Sequence, residues 1–122
     1  MKNNLPPSQP QNRALSIRQP YAEQIMRGVK TIEYRSILTH IRGRVYIYAS
    51  LTPGPESQFR KMNANPGDFP TGVIVGTVEI VDCYGDPGDY EWELAHPLRF
   101  KTTIKPERKP QPVWFIPFAP KS

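Results

Sequence analysis

ALSIRQPYAEQIMRGVKTIEYRS, residues 14–36, is the stretch whose reading decides the fold. Leu15 and Ile17 alternate with Ser16 and Arg18, the period-2 pattern of a short strand. Pro20 suits a first helical turn. Ala22, Ile25 and Met26 make an apolar stripe at helical spacing, and Gly28 supplies a C-cap. Residues 30–36 then read as a second strand. Thr31, Glu33 and Arg35 share one face; Lys30, Ile32 and Tyr34 share the other. Lys30 stands at the mouth of that strand, beside the glycine turn, where it can bend toward either face.

Outward from this unit the chain reads mainly as strands. RVYIYAS, 44–50, is rich in β-branched and aromatic residues. Residues 51–72 are loop-like, with one helical turn at ESQFRKMN, 56–63. GVIVGTVEIVDCYG, 72–85, is the strongest strand signal, and Gly76 within it marks a bulge or a close approach. DPGDYEWELAHPL, 86–98, reads as a long polar loop carrying Trp92 and His96. RFKTTIK, 99–105, reads as one more strand, and the aromatic PQPVWFIPF, 110–118, can close a barrel. Residues 1–12 are polar and proline-rich and read as a disordered arm before a single domain, 13–122. Five or six strands with one or two helices give an α+β, mainly β architecture: a small, half-open β-barrel with its helices at the opening.

Composition narrows the partners. The 122-residue chain carries a net charge of +5 and a pI of about 9.5. That favours an acidic partner, nucleic acid being the common one, and is equally compatible with an ordinary basic domain. A single cysteine, Cys83, excludes an intrachain disulfide and a Cys-based zinc site and suits a reducing cytosol, so a cytoplasmic location is expected. MKNNLPPSQPQNR has no apolar h-region of the kind a secretory signal needs, and no apolar run reaches the roughly 20 residues of a membrane span. His40 and His96 lie far apart, without a carboxylate or second histidine at metal spacing. No metal site or other cofactor is expected.

The candidate site residues carry competing readings. Glu33 and Arg35, two apart on one strand face, can jointly bind a polar ligand or form a solvated ion pair worth about 0–1 kcal/mol. Lys30 can act as a general base, as a phosphate contact or as an exposed turn lysine. In SIRQP, 16–20, Arg18 and Gln19 can reach base edges, whereas Ser16 and Gln19 can instead satisfy the helix start. Glu79, in the middle of an apolar strand, either points inward and needs Lys30 or Arg35 as partner, or points outward into solvent. Trp92 is either a platform for a base or a loop anchor packed on the barrel.

With these residues in place, ALSIRQPYAEQIMRGVKTIEYRS resembles the opening of an ASCH domain, a family with a strand, a helix and then a G-x-K-x-x-E-x-R segment. Gly28, Lys30, Glu33 and Arg35 match that segment, and VIVGTVEIVDCY resembles the family's second characteristic strand, where Glu79 falls. The resemblance implies a PUA-like barrel and binding of RNA, of another single-stranded nucleic acid or of a modified nucleoside, with the motif lining the ligand cleft. It also implies two alternatives found in bacterial relatives: a ribonuclease, or an amidohydrolase acting on N4-acetylcytidine through a lysine, a threonine and a glutamate. Lys30 and Glu79 would then be catalytic. Glu33, however, stands where that branch has its threonine, and a carboxylate does not supply a hydroxyl nucleophile; Thr31 carries one, but out of position. A third reading is a protein-interaction domain whose basic surface is incidental.

Overall fold

The computed structural model describes residues 9–120. The elements in chain order are β1 (Ala14–Ile17), α1 (Tyr21–Met26), β2 (Ile32–Arg35), β3 (Gly43–Ala49), α2 (Glu56–Arg60), β4 (Val73–Asp86), β5 (Asp89–Ile104) and β6 (Trp114–Phe115). The strands form one curled, half-barrel sheet in the order β2-β5-β4-β3-β1-β6. β1 runs parallel to β3, which the intervening α1 and β2 permit; β3–β4, β4–β5, β2–β5 and β1–β6 are antiparallel. The mainly β, half-open barrel with two short helices is the expected architecture. Residues 1–8 of the expected N-terminal arm lie outside the described residues. Of the rest, Gln11 bonds the β3 edge through Arg42 O and Arg44 O, and the Asn12 amide brackets the Phe118 backbone.

The alternation read from the sequence is what builds the core. Leu15 and Ile17, Val45 and Ile47, Val78 and Ile80 meet the buried stripe of α1, Ala22, Ile25 and Met26. A second cluster, centred on Ala14, Tyr48, Ile74 and Phe115, buries a further part of the sheet under the C-terminal aromatics. α1 stops at Gly28, whose φ of +77° is the left-handed conformation glycine adopts freely.

The segment 86–98 differs from its reading as a loop. Only Pro87 and Gly88 form the turn, between the paired Asp86 and Asp89, and the rest is strand β5. The acidic residues masked a period-2 pattern: Tyr90, Trp92 and Leu94 turn inward while Glu91 and Glu93 turn outward. Pro97 is tolerated because β2 pairs β5 only as far as Glu93, and no strand among the described residues pairs that edge beyond it.

An ion-pair cluster clamps α1 to the sheet. Arg99 on β5 donates both Nη groups to Glu23, at 2.8 and 2.9 Å, and Arg27 Nε donates to Glu23 Oε2 at 2.7 Å. Burial alone would raise the Glu23 carboxyl, but these guanidinium bonds outweigh it and hold it below its ordinary 4.5. A depressed carboxyl contributes stability above its unfolded-state value and loses it as pH falls through the folded one. The clamp therefore weakens below about pH 4.5. Both guanidiniums are close to half exposed, so its contribution is about 1 kcal/mol. Urea unfolding at pH 7 and pH 3 should show wild type losing this increment and Glu23→Gln lacking it at both; an unchanged pH dependence in the variant counts against the clamp.

Candidate ligand cleft

The barrel is closed by side chains where its strands do not pair. Arg35, on edge strand β2, donates through Nη2 to Ser16 O on β1 at 2.8 Å, spanning the open side of the curl. Trp92 on β5 stacks on Trp114 of β6, with ring centroids 5.8 Å apart. Between these links opens a cleft of about 770 Å³, lined by the end of β1, the turn after it, β2, the end of β3 and residues 109–113.

Glu33 is the centre of the site. It is the one buried side chain of β2, with Tyr34 exposed on the opposite face, so the parity read from the sequence holds. Arg35 Nε donates to Glu33 Oε2 at 2.7 Å, and Lys30 Nζ lies 3.5 Å from Glu33 Oε1. All three side chains are less than one-fifth exposed, so this is a buried triad of two cations and one anion, not a solvated surface pair. Lys30 also donates to Ile32 O at 2.7 Å and lies over the rings of Tyr21 and Tyr34, each 5.4 Å away. The Arg35 guanidinium lies 5.6 Å from the Trp92 ring centroid. A planar group fixed by a carboxylate, a carbonyl and a ring is preorganised rather than mobile.

The other sequence candidates divide. Ser16 and Arg18 both line the cleft. Ser16 is built into its wall: Oγ donates to Gln111 O at 2.7 Å and its N–H to Val113 O at 2.8 Å. Arg18 is exposed at the rim. Gln19 is buried, with Oε1 accepting the Glu23 N–H and Nε2 donating to Pro70 O, so it satisfies the helix start and does not face a ligand. Trp92 is fully buried; its ring packs on Trp114 and its Nε1 donates to Ile37 O at 3.0 Å. That leaves it no open face for a base: it is the anchor behind Arg35, set on a strand and not in a loop. Glu79 pairs with His96 Nδ1, sits opposite Arg44 on β3, and meets neither Lys30 nor Arg35. Cross-strand partners share a face, so Glu33, opposite Trp92, turns to the core side of the sheet, and Lys30 lies beside it.

Tyr21 and Tyr48, which the sequence marks only as aromatics suited to the core, also line the cleft, as do Ser50, Thr52 and Lys109, for which it gives no site signal. Burial pushes the Tyr48 phenol up, so it meets the cleft as a neutral hydroxyl. Tyr21 lies outside the apolar stripe of α1, which is the one signal available for it. Residues 109–113 give no such signal, because their place depends on β6 pairing with β1 and on Val113, a β-branched residue held at φ +64°. The lining charges are Arg18, Arg35 and Lys109 against Glu33. Among the described residues no group of His, Cys, Asp or Glu is arranged to hold a metal ion.

Comparison with known proteins agrees with this architecture. The family model "ASCH domain" matches residues 15–115. The chain is similar to Activating signal cointegrator 1 of Homo sapiens and of Mus musculus, with 35% identity over 80 residues in each case, covering 57% of this chain. It spans 14% of the length of those relatives. Among the described residues no helix is long and apolar enough to cross a membrane.

Proposed function

The chain belongs to the ASCH domain family, whose PUA-like fold often binds RNA, and from that premise we propose that the cleft binds one nucleotide of an RNA or other single strand, or a modified nucleoside. The observation that carries this reading is the buried Glu33–Arg35 pair in the wall of a cleft open to solvent, with Lys30 held beside Glu33 but outside the cleft lining. Glu33 accepts from the exocyclic amine of a base, as carboxylates do with cytosine. Arg35, already oriented by Glu33 and Ser16 O, offers its remaining donors to a base edge. Tyr21 flanks the base, buried Tyr48 borders the cleft, and Arg18 and Lys109 at the rim neutralise phosphate.

The test is a titration with single-stranded RNA at low salt and with free nucleosides, including acetylated cytidine. Binding of RNA should weaken as salt rises, because phosphate contacts release counterions. Arg35→Ala should lower affinity at least tenfold for polymer and nucleoside alike, since a charge-assisted, oriented pair is lost. Absence of binding to either class in wild type rejects the reading.

A further inference from the structure

Charge along the β4–β5 hairpin and the segment after it is divided, although Asp82 at the acidic end is paired with Arg42. Residues 82–93, around the β4–β5 turn, carry five acidic residues and no Lys or Arg. Residues 99–109 carry five basic residues and one acidic residue. Of those five, Arg99 is committed to Glu23 and Lys109 lines the cleft. Lys101, Lys105 and Arg108 are exposed, and among the described residues no carboxylate pairs with them.

Strand register connects this basic segment to the cleft. Tyr48 in the cleft wall is opposite Ile74, and Ile74 is opposite Ile104. Ile104 is thus two strand spacings, about 10 Å, from the cleft wall. Lys105 follows it directly, and the chain then leads through Arg108 to Lys109 in the wall itself. The acidic turn is at the opposite end of β5. A polyanion seated in the cleft is repelled from one end of the molecule and drawn toward the other.

We propose that Lys101, Lys105 and Arg108 form a phosphate track, along which a single-stranded nucleic acid leaves the cleft away from the β4–β5 turn. The proposal rests on the nucleotide reading of the cleft. Lysine on an unpaired sheet edge also has a protective use, because it discourages edge-to-edge pairing. That accounts for Lys101, on the edge left open beyond Glu93, but not for Lys105 and Arg108, which lie past the strand and lead into the cleft.

The variant Lys101→Ser, Lys105→Ser, Arg108→Ser separates these uses. The probes are mixed-sequence single-stranded octaribonucleotides and the four ribonucleoside monophosphates, titrated between 50 and 200 mM salt. In wild type the octamers should bind at least tenfold more tightly than the monophosphates at the lower salt. The variant should keep its monophosphate affinity while its slope of log affinity against log salt falls by about 2, at roughly 0.7 per lost phosphate contact. An unchanged slope overturns the track, as does a variant that self-associates but binds octamers as before. Failure of wild type to bind any monophosphate or octamer overturns the nucleotide reading, and the track with it.

Discussion

Glu33→Ala is expected to lower stability by about 3 kcal/mol and to abolish ligand binding. Removal of one member of a buried ion pair leaves an uncompensated charge, which costs far more than the pair contributes. Here the loss falls on two cations, since Lys30 and Arg35 both turn to Glu33 and both are largely buried. Arg35 would keep Ser16 O and the Trp92 ring but lose the carboxylate that sets its plane. Urea unfolding measures the first effect and nucleoside titration the second. A combined variant, Lys30→Met, Glu33→Leu, Arg35→Met, carries the argument further. Apolar groups of similar volume avoid the unpaired charges, so most of the lost stability should return while binding stays absent. Recovery of stability without function would identify the triad as kept for its ligand rather than for the fold. A Glu33→Ala protein as stable as wild type would mean the three charges are solvated.

Gly76→Ala is expected to be as damaging for a different reason. A Cβ on Gly76 would lie 2.2 Å from Leu98 O, 2.6 Å from Met26 Sδ and 3.0 Å from Arg99 Cα. The methionine can move aside; the β5 backbone cannot without breaking its pairing across from Gly76. Overpacking of this kind costs about 3 kcal/mol, which for a domain of this size lowers the melting temperature by roughly 15 °C. Gly88→Ala is the control. It lies in the β4–β5 turn at φ +91° with nothing within 4 Å of an added Cβ, so it pays only backbone strain of about 1 kcal/mol. Equal losses in the two variants would show that contact with β5 and α1 is not what requires glycine at position 76.

Both predictions start from residues that the sequence singled out, but only one of them was fully legible there. Gly76 stands in an otherwise continuous apolar strand, and glycine in such a place signals a bulge or a close approach; the structure has both, with the register shift falling between Ile74 and Gly76. For Glu33 and Arg35 the spacing fixed a shared face but not its environment. The same spacing describes a solvated pair, and the burial that distinguishes the two comes from strands distant in sequence.

Trp92 and Glu79 show where local pattern misleads. The run of acidic residues around Trp92 looks like a loop because polarity suggests exposure. Yet alternation sends Glu91 and Glu93 outward and leaves Trp92 the largest fully buried side chain among the described residues. Glu79 in an apolar strand looks like a residue awaiting Lys30 or Arg35, but its partner is His96 across the hairpin. Whether a polar residue in a strand faces the cleft depends on which face its neighbours bury, and around Glu79 that is set by register shifts at Thr77/Glu79 and Ile80/Asp82, which no glycine marks in the sequence.

The sequence by itself determined the strand–helix–strand opening, the glycine stop of α1, the common face of Glu33 and Arg35, and a mainly β domain of five or six strands with one or two short helices. These follow from side-chain periodicity and from the conformations that glycine and proline allow, which are local properties. Tertiary structure alone decided that Arg35 closes the barrel onto Ser16, that Lys30 turns to Glu33, and that residues 109–113 complete the cleft wall. Each depends on the curl of the sheet, which brings its two edges together and shields the charges between them from water.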